Sequence, residues 1–133
     1  MTVTSADVLR VEGLVKHFST PLGNVRAIDG VDLRLRAGAT LGLVGESGCG
    51  KSTLARCILR LVQPTTGRVL VDGVDMTSAN RRELRRLRRD VGIVFQDPHG
   101  SLNPRRSVGA SVAQPLRLHG VSRGKRRTRV AEL

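Results

Sequence analysis

The sequence predicts an α/β fold organised around a strand, a glycine loop and a helix, and three observations carry that prediction. Residues Gly45 to Thr53 read Gly-Glu-Ser-Gly-Cys-Gly-Lys-Ser-Thr, which fits the pattern G-x-x-x-x-G-K-[ST]. Thr40 to Val44, just before it, is a short apolar run of strand type. Leu54 to Val62, just after it, carries apolar residues at helical spacing. That order is the P-loop arrangement, which implies a site for a nucleotide triphosphate.

The flanking elements follow in chain order. Val8 to Val15 and Ala27 to Leu35 alternate apolar and polar residues, with Val31, Leu33 and Leu35 set against Asp32 and Arg34, and read as strands. Pro21-Leu-Gly-Asn24 between them is turn chemistry, and Gly38 ends this β unit. In the loop, Gly45 lets the chain turn off its strand, while Gly48 and Gly50 lack a Cβ, so backbone N–H groups can approach phosphate oxygens. The helix starting near Lys51 adds unpaired N–H groups and its positive end. Lys51 can reach the β and γ phosphates, the Ser52 hydroxyl is placed to ligate Mg²⁺, and Thr53 faces the α phosphate.

Beyond the loop helix, Pro64-Thr-Thr-Gly67 is a turn and Arg68 to Val71 a short strand ending at Asp72-Gly73. Asn80 is placed to N-cap an arginine-rich helix, with Glu83 three residues on completing a capping box. Val91 to Phe95 is a continuous apolar run broken by one glycine and reads as a buried parallel strand leading into Gln96-Asp97-Pro98. His99 to Arg106 is loop. A helix is expected over Val108 to Leu118, which Pro115 should kink or end, and Ser122 can cap one last helix.

Composition narrows the function classes. At 133 residues the chain holds one domain at most. It has no apolar run of about 18 residues, and Met1 to Asp7 is polar with no signal core, so no transmembrane segment or signal peptide is expected. Cys49 and Cys57 are too few for a disulfide framework, and reduced thiols in the cytoplasm are expected. His17, His99 and His119 are scattered without ligand spacing, which argues against a metal site built on histidine.

The net charge of +12 suggests nucleic acid, but its distribution points elsewhere. Arg81 to Asp90 sets six arginines against Glu83 and Asp90, and Arg117 to Leu133 sets six basic residues against Glu132. Leu84, Leu87 and Val91 step along the first run at helical spacing, so a solvated helix face explains the charge. The chain has no Tyr, no Trp and only two Phe, so base-stacking platforms are scarce and no nucleic-acid partner is expected.

The wording Val44-Gly-Glu-Ser-Gly-Cys-Gly-Lys-Ser-Thr-Leu-Ala-Arg56, then Val94-Phe-Gln-Asp-Pro98 and Ser101-Leu-Asn-Pro-Arg105, resembles the ATP-binding subunits of ABC transporters. Within that superfamily it is most similar to bacterial importers of oligopeptides, dipeptides and nickel. The Ser-Leu-Asn-Pro-Arg stretch points to that branch, and Val121-Ser-Arg-Gly after Leu118-His-Gly is similar to it too. The likeness runs from about Val8 to Leu133.

The resemblance implies a P-loop NTPase of the ATP-binding cassette type. It divides into an N-terminal β subdomain over about residues 1–40, a P-loop core to the Q-loop over 41–98, and the start of a helical subdomain over 99–133. It implies ATP and Mg²⁺ as cofactors, held by Gly45, Glu46, Ser47, Gly48, Cys49, Gly50, Lys51, Ser52 and Thr53. Phe18 falls at the family's adenine-stacking aromatic, the alternative being a core phenylalanine. Gln96 falls at the Q-loop glutamine, which in the family touches Mg²⁺ and the attacking water and senses the membrane subunit. Lys51 and Gln96 are thus the catalytic candidates, and Ser52 and Gln96 the metal candidates. Residues 99–106 either face the permease or form a plain surface loop.

The implied partners are a second ATP-binding cassette subunit, transmembrane permease subunits and, indirectly, an extracytoplasmic solute-binding protein. The implied place is peripheral, on the cytoplasmic face of the inner membrane.

The family also needs a second Mg²⁺-binding acidic strand, a glutamate beside it, a signature motif and a switch histidine, all downstream of the arginine-rich region. The expectation is a cassette truncated before its C-terminal half, in which the loop strand lacks parallel neighbours. Asp97 belongs to the Q-loop and does not replace the glutamate. Alone, such a chain is expected to bind Mg-ATP without turning it over. One rival is a regulatory or vestigial fragment pairing with a full-length cassette. The other is a basic nucleic-acid-binding protein using Arg81 to Arg89. The transported solute is not written in these residues.

Overall fold

The computed structural model describes residues 7–97 and 102–133, which fall into two compact units, one ending at Gly92 and one beginning at Ile93. The first unit is led by a long hairpin, β1 (Asp7–Thr20) and β2 (Gly23–Arg36), joined across Pro21 and Leu22. Both strands run longer than their alternating cores, because pairing continues outward to Thr20 and Gly23. The Thr20 hydroxyl donates to the Gly23 carbonyl at 2.7 Å and helps close that end.

The second edge of β1 pairs with β3 (Thr66–Val71), and β3 pairs with a short β4 (Val74–Asp75) across Asp72-Gly73, giving the antiparallel order β2-β1-β3-β4. The two turn residues have φ of 46° and 78°, the left-handed pair that a two-residue hairpin turn needs. β4 went unforeseen because two residues carry too little pattern. β1 breaks register with both neighbours around Gly13, whose amide donates to Asp32 Oδ1 at 2.8 Å. At the same place β3 approaches so closely that a Cβ on Gly67 would stand 2.4 Å from the Gly13 carbonyl oxygen.

One helix covers this sheet. α1 (Lys51–Ile58) lays Leu54 and Cys57, three residues apart, against Val11, Leu14, Ile28, Val69, Val71 and Met76. Leu14, Val69, Met76 and Cys57 are fully buried, and each such aliphatic side chain contributes about 1.5–3 kcal/mol. The predicted capping box is present at α2 (Arg81–Leu87). Asn80 Oδ1 accepts from the amides of Arg82 and Glu83 at 2.9 and 3.1 Å, and Glu83 Oε2 accepts from the Asn80 amide at 2.8 Å. Leu84, Leu87 and Val91 rest on the core, so the arginines of α2 face outward.

Two expected strands are not formed. Residues 40–44 and 91–95 have no strand pairing, and Val44 and Val94 are 96% and 98% exposed. The reason is the absence, among the described residues, of a strand alongside either segment. An extended apolar run becomes sheet only where a neighbour supplies backbone donors and acceptors.

The second unit is a helical hairpin, α3 (Val108–Leu118) and α4 (Arg123–Glu132). Ser107 caps α3 by accepting from the Ala110 amide at 3.2 Å. Of the two outcomes expected at Pro115, an end is not seen, since α3 continues through it to Leu118. Its C-terminus is closed by the Gly120 amide on the Arg117 carbonyl and the Val121 amide on the Leu116 carbonyl, at 3.1 and 2.9 Å, with Gly120 at φ 78°. That paired closure offsets the one bond proline forgoes. Ser122 takes the N-cap position of α4, but its side chain makes no capping bond. Residues 98–101, including His99, lie outside the described residues.

Asp75, the last residue of β4, holds the turn at Thr77 and Ser78 that follows it. Burial pushes its carboxyl up, but the hydroxyls and amides of Thr77 and Ser78 donate to the ionised form and together hold its pKa below the ordinary value. A carboxylate lowered in the folded state stabilises above its unfolded pKa of about 3.9, and that contribution is lost as pH falls through the folded value. Asp75→Asn is therefore expected to lower the urea midpoint at neutral pH and to differ less from the wild type in strong acid. A difference of equal size at both pH values would assign the ionised carboxylate no part in stability.

Candidate functional site

The glycine loop, residues 45–53, spans the gap between the unpaired segment 40–44 and the first turn of α1. Gly48 and Gly50 have φ of 83° and 98°, conformations that L side chains rarely adopt, and Gly50 is the N-cap of α1. Gly50 is also held by space, since a Cβ there would stand 2.2 Å from the Ala27 carbonyl oxygen on β2. A Cβ on Gly45 would stand 2.8 Å from Cys49 Sγ. The pattern thus serves two ends, turning the loop and seating the helix start flat against the hairpin.

The α1 N-terminus is open to an anion. No side chain caps it, and its first turn carries no acidic residue. The leading N–H groups of a helix have no intrahelical acceptor, and the dipole end there is positive. Ser52 is exposed, while Thr53 and Lys51 are half-buried, all on this first turn.

Lys51 is turned back into the loop. Its ammonium donates to the Gly45 carbonyl at 2.6 Å, to the Glu46 carbonyl, and to Cys49 Sγ at 3.4 Å. Three donors are thus spent on the loop's own acceptors. Cys49 is exposed and Cys57 buried; burial raises the Cys57 thiol pKa against the opposing charge of Lys16, which keeps it a neutral core residue.

Beside the loop is a cavity of about 420 Å³, lined on one side by Arg26, Ala27 and Asp29 and on the other by Val44, Cys49 and Lys51. Arg26 and Asp29 had no motif to mark them; strand register against the loop puts them there. Asp29 lies 3.6 Å from Arg26 Nη1 and 3.5 Å from His17 Nε2.

Phe18 sits near the end of β1, opposite Val25, 37% exposed, with the Lys16 ammonium 4.7 Å from its ring centroid. Gln96 is exposed and belongs to the second unit, as does Asp97.

The donor set fits a polyphosphate: turned glycines, an uncapped helix start and the Lys51 ammonium. Comparisons with known proteins identify the family. The family model described as ABC transporter matches residues 28–132. A probable peptide ABC transporter ATP-binding protein of Sinorhizobium fredii is 49% identical over 116 residues, covering 82% of this chain and 33% of the relative. A di/tripeptide transport ATP-binding protein of Pseudomonas aeruginosa is 43% identical over 133 residues, covering 95% and 41%. An oligopeptide transport ATP-binding protein of Mycobacterium bovis is 46% identical over an alignment of 134, covering 95% and 22%. The chain thus spans between 22% and 41% of the length of these relatives.

Among solved structures, an ATP-binding cassette dimer in a post-hydrolysis state with ADP and Pi is similar at TM-score 0.80 and 30% identity, covering 93% of this chain and 54% of that one. The cbiO1 protein of Clostridium perfringens, part of the cbiONQ transporter complex, is similar at TM-score 0.72 and 29% identity, covering 95% and 48%.

The loop glycines separate by cost. Gly48→Ala meets open space and is expected to lose about 1–3 kcal/mol for the strained φ alone. Gly50→Ala adds the clash with Ala27 and is expected to lose clearly more in a urea titration. Equal losses would mean that contact with β2 does not hold the loop.

Proposed function

This chain belongs to the ABC transporter family, and from that premise we propose that it carries the nucleotide-binding part of an importer's ATP-binding subunit, serving peptides or similar small solutes. The observation that carries the reading is the open, uncapped start of α1 behind a glycine loop whose lysine is held at its centre by the Gly45 carbonyl. The triphosphate lies along the backbone N–H groups of Gly45, Glu46, Ser47, Gly48, Cys49 and Gly50. Lys51 releases the Gly45 and Glu46 carbonyls to take up β and γ oxygens. Thr53 bonds on the α side, and Phe18 stacks on adenine.

ATP and Mg²⁺ are the cofactors. The Ser52 hydroxyl and the Gln96 carbonyl oxygen are the ligands this chain offers the ion, and the ion supplies neutralisation of phosphate charge. Gln96 also reports the nucleotide state to the permease. The partners are a second cassette, the transmembrane permease subunits and, through them, a solute-binding protein. No helix among the described residues is long and apolar enough to cross a membrane, which suits a subunit that docks on a permease at the cytoplasmic face.

By itself the chain binds Mg-ATP without hydrolysing it. Among the described residues no strand beside the segment 40–44 presents a carboxylate to a γ phosphate.

The test is nucleotide binding by a fluorescent ATP analogue, with phosphate release measured in parallel. Wild type is expected to bind in the presence of Mg²⁺, and Lys51→Ala to bind about 10- to 100-fold more weakly, the worth of a charged hydrogen bond. Phosphate release is expected at background for both. Release that disappears in Lys51→Ala would overturn the claim of no turnover, and equal binding by both proteins would overturn the site.

A further inference from the structure

The second unit holds a cationic groove that the nucleotide site does not use. It has a volume of about 580 Å³ and lies between α3 and α4. Gly109, Ala110 and Ala113 form the α3 wall, and Arg123, Arg126 and Arg127 come from the facing side of α4. Those arginines stand at i, i+3 and i+4, one face of the helix, and Val130 continues that face to within 3.8 Å of where a Gly109 Cβ would be.

No acidic residue lines the groove. Glu132 is the one acidic side chain between residues 102 and 133, and it pairs with Arg129 at 3.0 Å, both outside the lining. Arg106 donates instead to Gln114 and to the Ala110 carbonyl. Among the described residues Arg123, Arg126 and Arg127 therefore meet no carboxylate. The first turn of α3, with its positive dipole end, opens on the same groove through Gly109 and Ala110.

We propose that this groove binds the phosphate headgroup of an anionic phospholipid. Three guanidinium forks match the oxygens of a phosphate diester, and the small-residue wall with Val130 accepts the apolar portion next to it. At the start of α3, Val108 is 71% exposed, an apolar side chain adjoining a basic face as on a membrane-surface helix. A nucleic acid fits less well, since α3 and α4 carry no aromatic residue on which a base could stack. The choice of a lipid source rests on the proposed peripheral location, whereas the groove's preference for a phosphate does not.

The test is flotation of the full chain with phosphatidylcholine vesicles, with and without phosphatidylglycerol. Binding is expected only with the anionic lipid. Arg123→Gln, Arg126→Gln and Arg127→Gln together, exchanges that keep helix propensity, are expected to weaken it roughly tenfold or more. The equal charge change Arg81→Gln, Arg82→Gln and Arg86→Gln in the first unit is expected to weaken it by less than about half as much on the same scale. Ala113→Leu keeps every charge and fills the groove, and is expected to reduce binding as well. No anionic-lipid binding, equal losses in the two triple variants, no effect of Ala113→Leu, or preferential competition by a DNA oligonucleotide would each overturn the proposal. Fluorescent-ATP binding by the same triple variant separates this outcome from failure of the nucleotide site.

Discussion

Backbone hydrogen-bond pairing along strand edges decides which apolar segments of this chain become sheet. β1 is bonded on both edges, to β2 and to β3, and every other element up to Gly92 takes its position from that strand. Residues 40–44 and 91–95 are no less apolar, yet they stay unpaired with Val44 and Val94 turned to solvent. Apolar area alone does not compensate for peptide groups without partners, each of which costs about 1–3 kcal/mol when buried. β1 tolerates a break at Gly13 because both neighbours lose register there together, and Gly67 lets β3 stay close while they do. The glycine loop depends on the same strand at one remove: Gly50 rests on Ala27, Ala27 lies in β2, and β2 is registered on β1.

Local chemistry was the part of this fold that could be read from the residues. The capping box at Asn80 and Glu83 closes within four residues, so nothing distant can override it. The hairpin and the helix after the loop were legible for the same reason, their periodicity being a property of the segment itself. Residues 40–44 and 91–95 were misread as strands because strand formation is settled by a neighbour, and neighbours are not local. Pro115 does not end its helix, which continues to Leu118. What the proline rule does not see lies five and six residues on, where Gly120 and Val121 close the helix end. Arg26 and Asp29 were invisible because only register brings β2 alongside the loop. Phe18 was marked as adenine-stacking or core, and at the hairpin end it is 37% exposed.

The +12 net charge separates into populations with different physics. On α2 the arginines surround Glu83 and project from a helix whose leucines face the core, which is the solvated face that the spacing suggested. On α4 the arginines at 123, 126 and 127 face a groove instead, with no carboxylate in its lining. Their surroundings distinguish the two, since Arg123 and Arg127 are as exposed as the α2 arginines and Arg126 is half-buried. A guanidinium on an open helix face interacts through water, where screening leaves little beyond about 10 Å. One that shares a groove with apolar walls and two like charges raises a potential that an incoming phosphate relieves.

Lys51 is a third case, and it shows how a single cation can hold a loop ready. A compact ammonium has three donors, and here all three are directed at the loop: two backbone carbonyls and a thiol. These contacts draw Gly45, Glu46 and Cys49 around one centre, so the loop is shaped before any phosphate arrives. On the proposed reading, phosphate binding exchanges carbonyl oxygens for phosphate oxygens around the same ammonium, and the net gain from the lysine is the difference between two sets of charged hydrogen bonds, each about 1.5–3 kcal/mol. The remaining discrimination then falls to the N–H groups of the loop and of the uncapped α1 turn, whose positions are fixed by Gly48, by Gly50 and by the contact with Ala27. An anion that satisfies only the lysine gains little over the carbonyls it displaces, whereas one that reaches the backbone donors as well gains interactions that nothing in the loop supplied before.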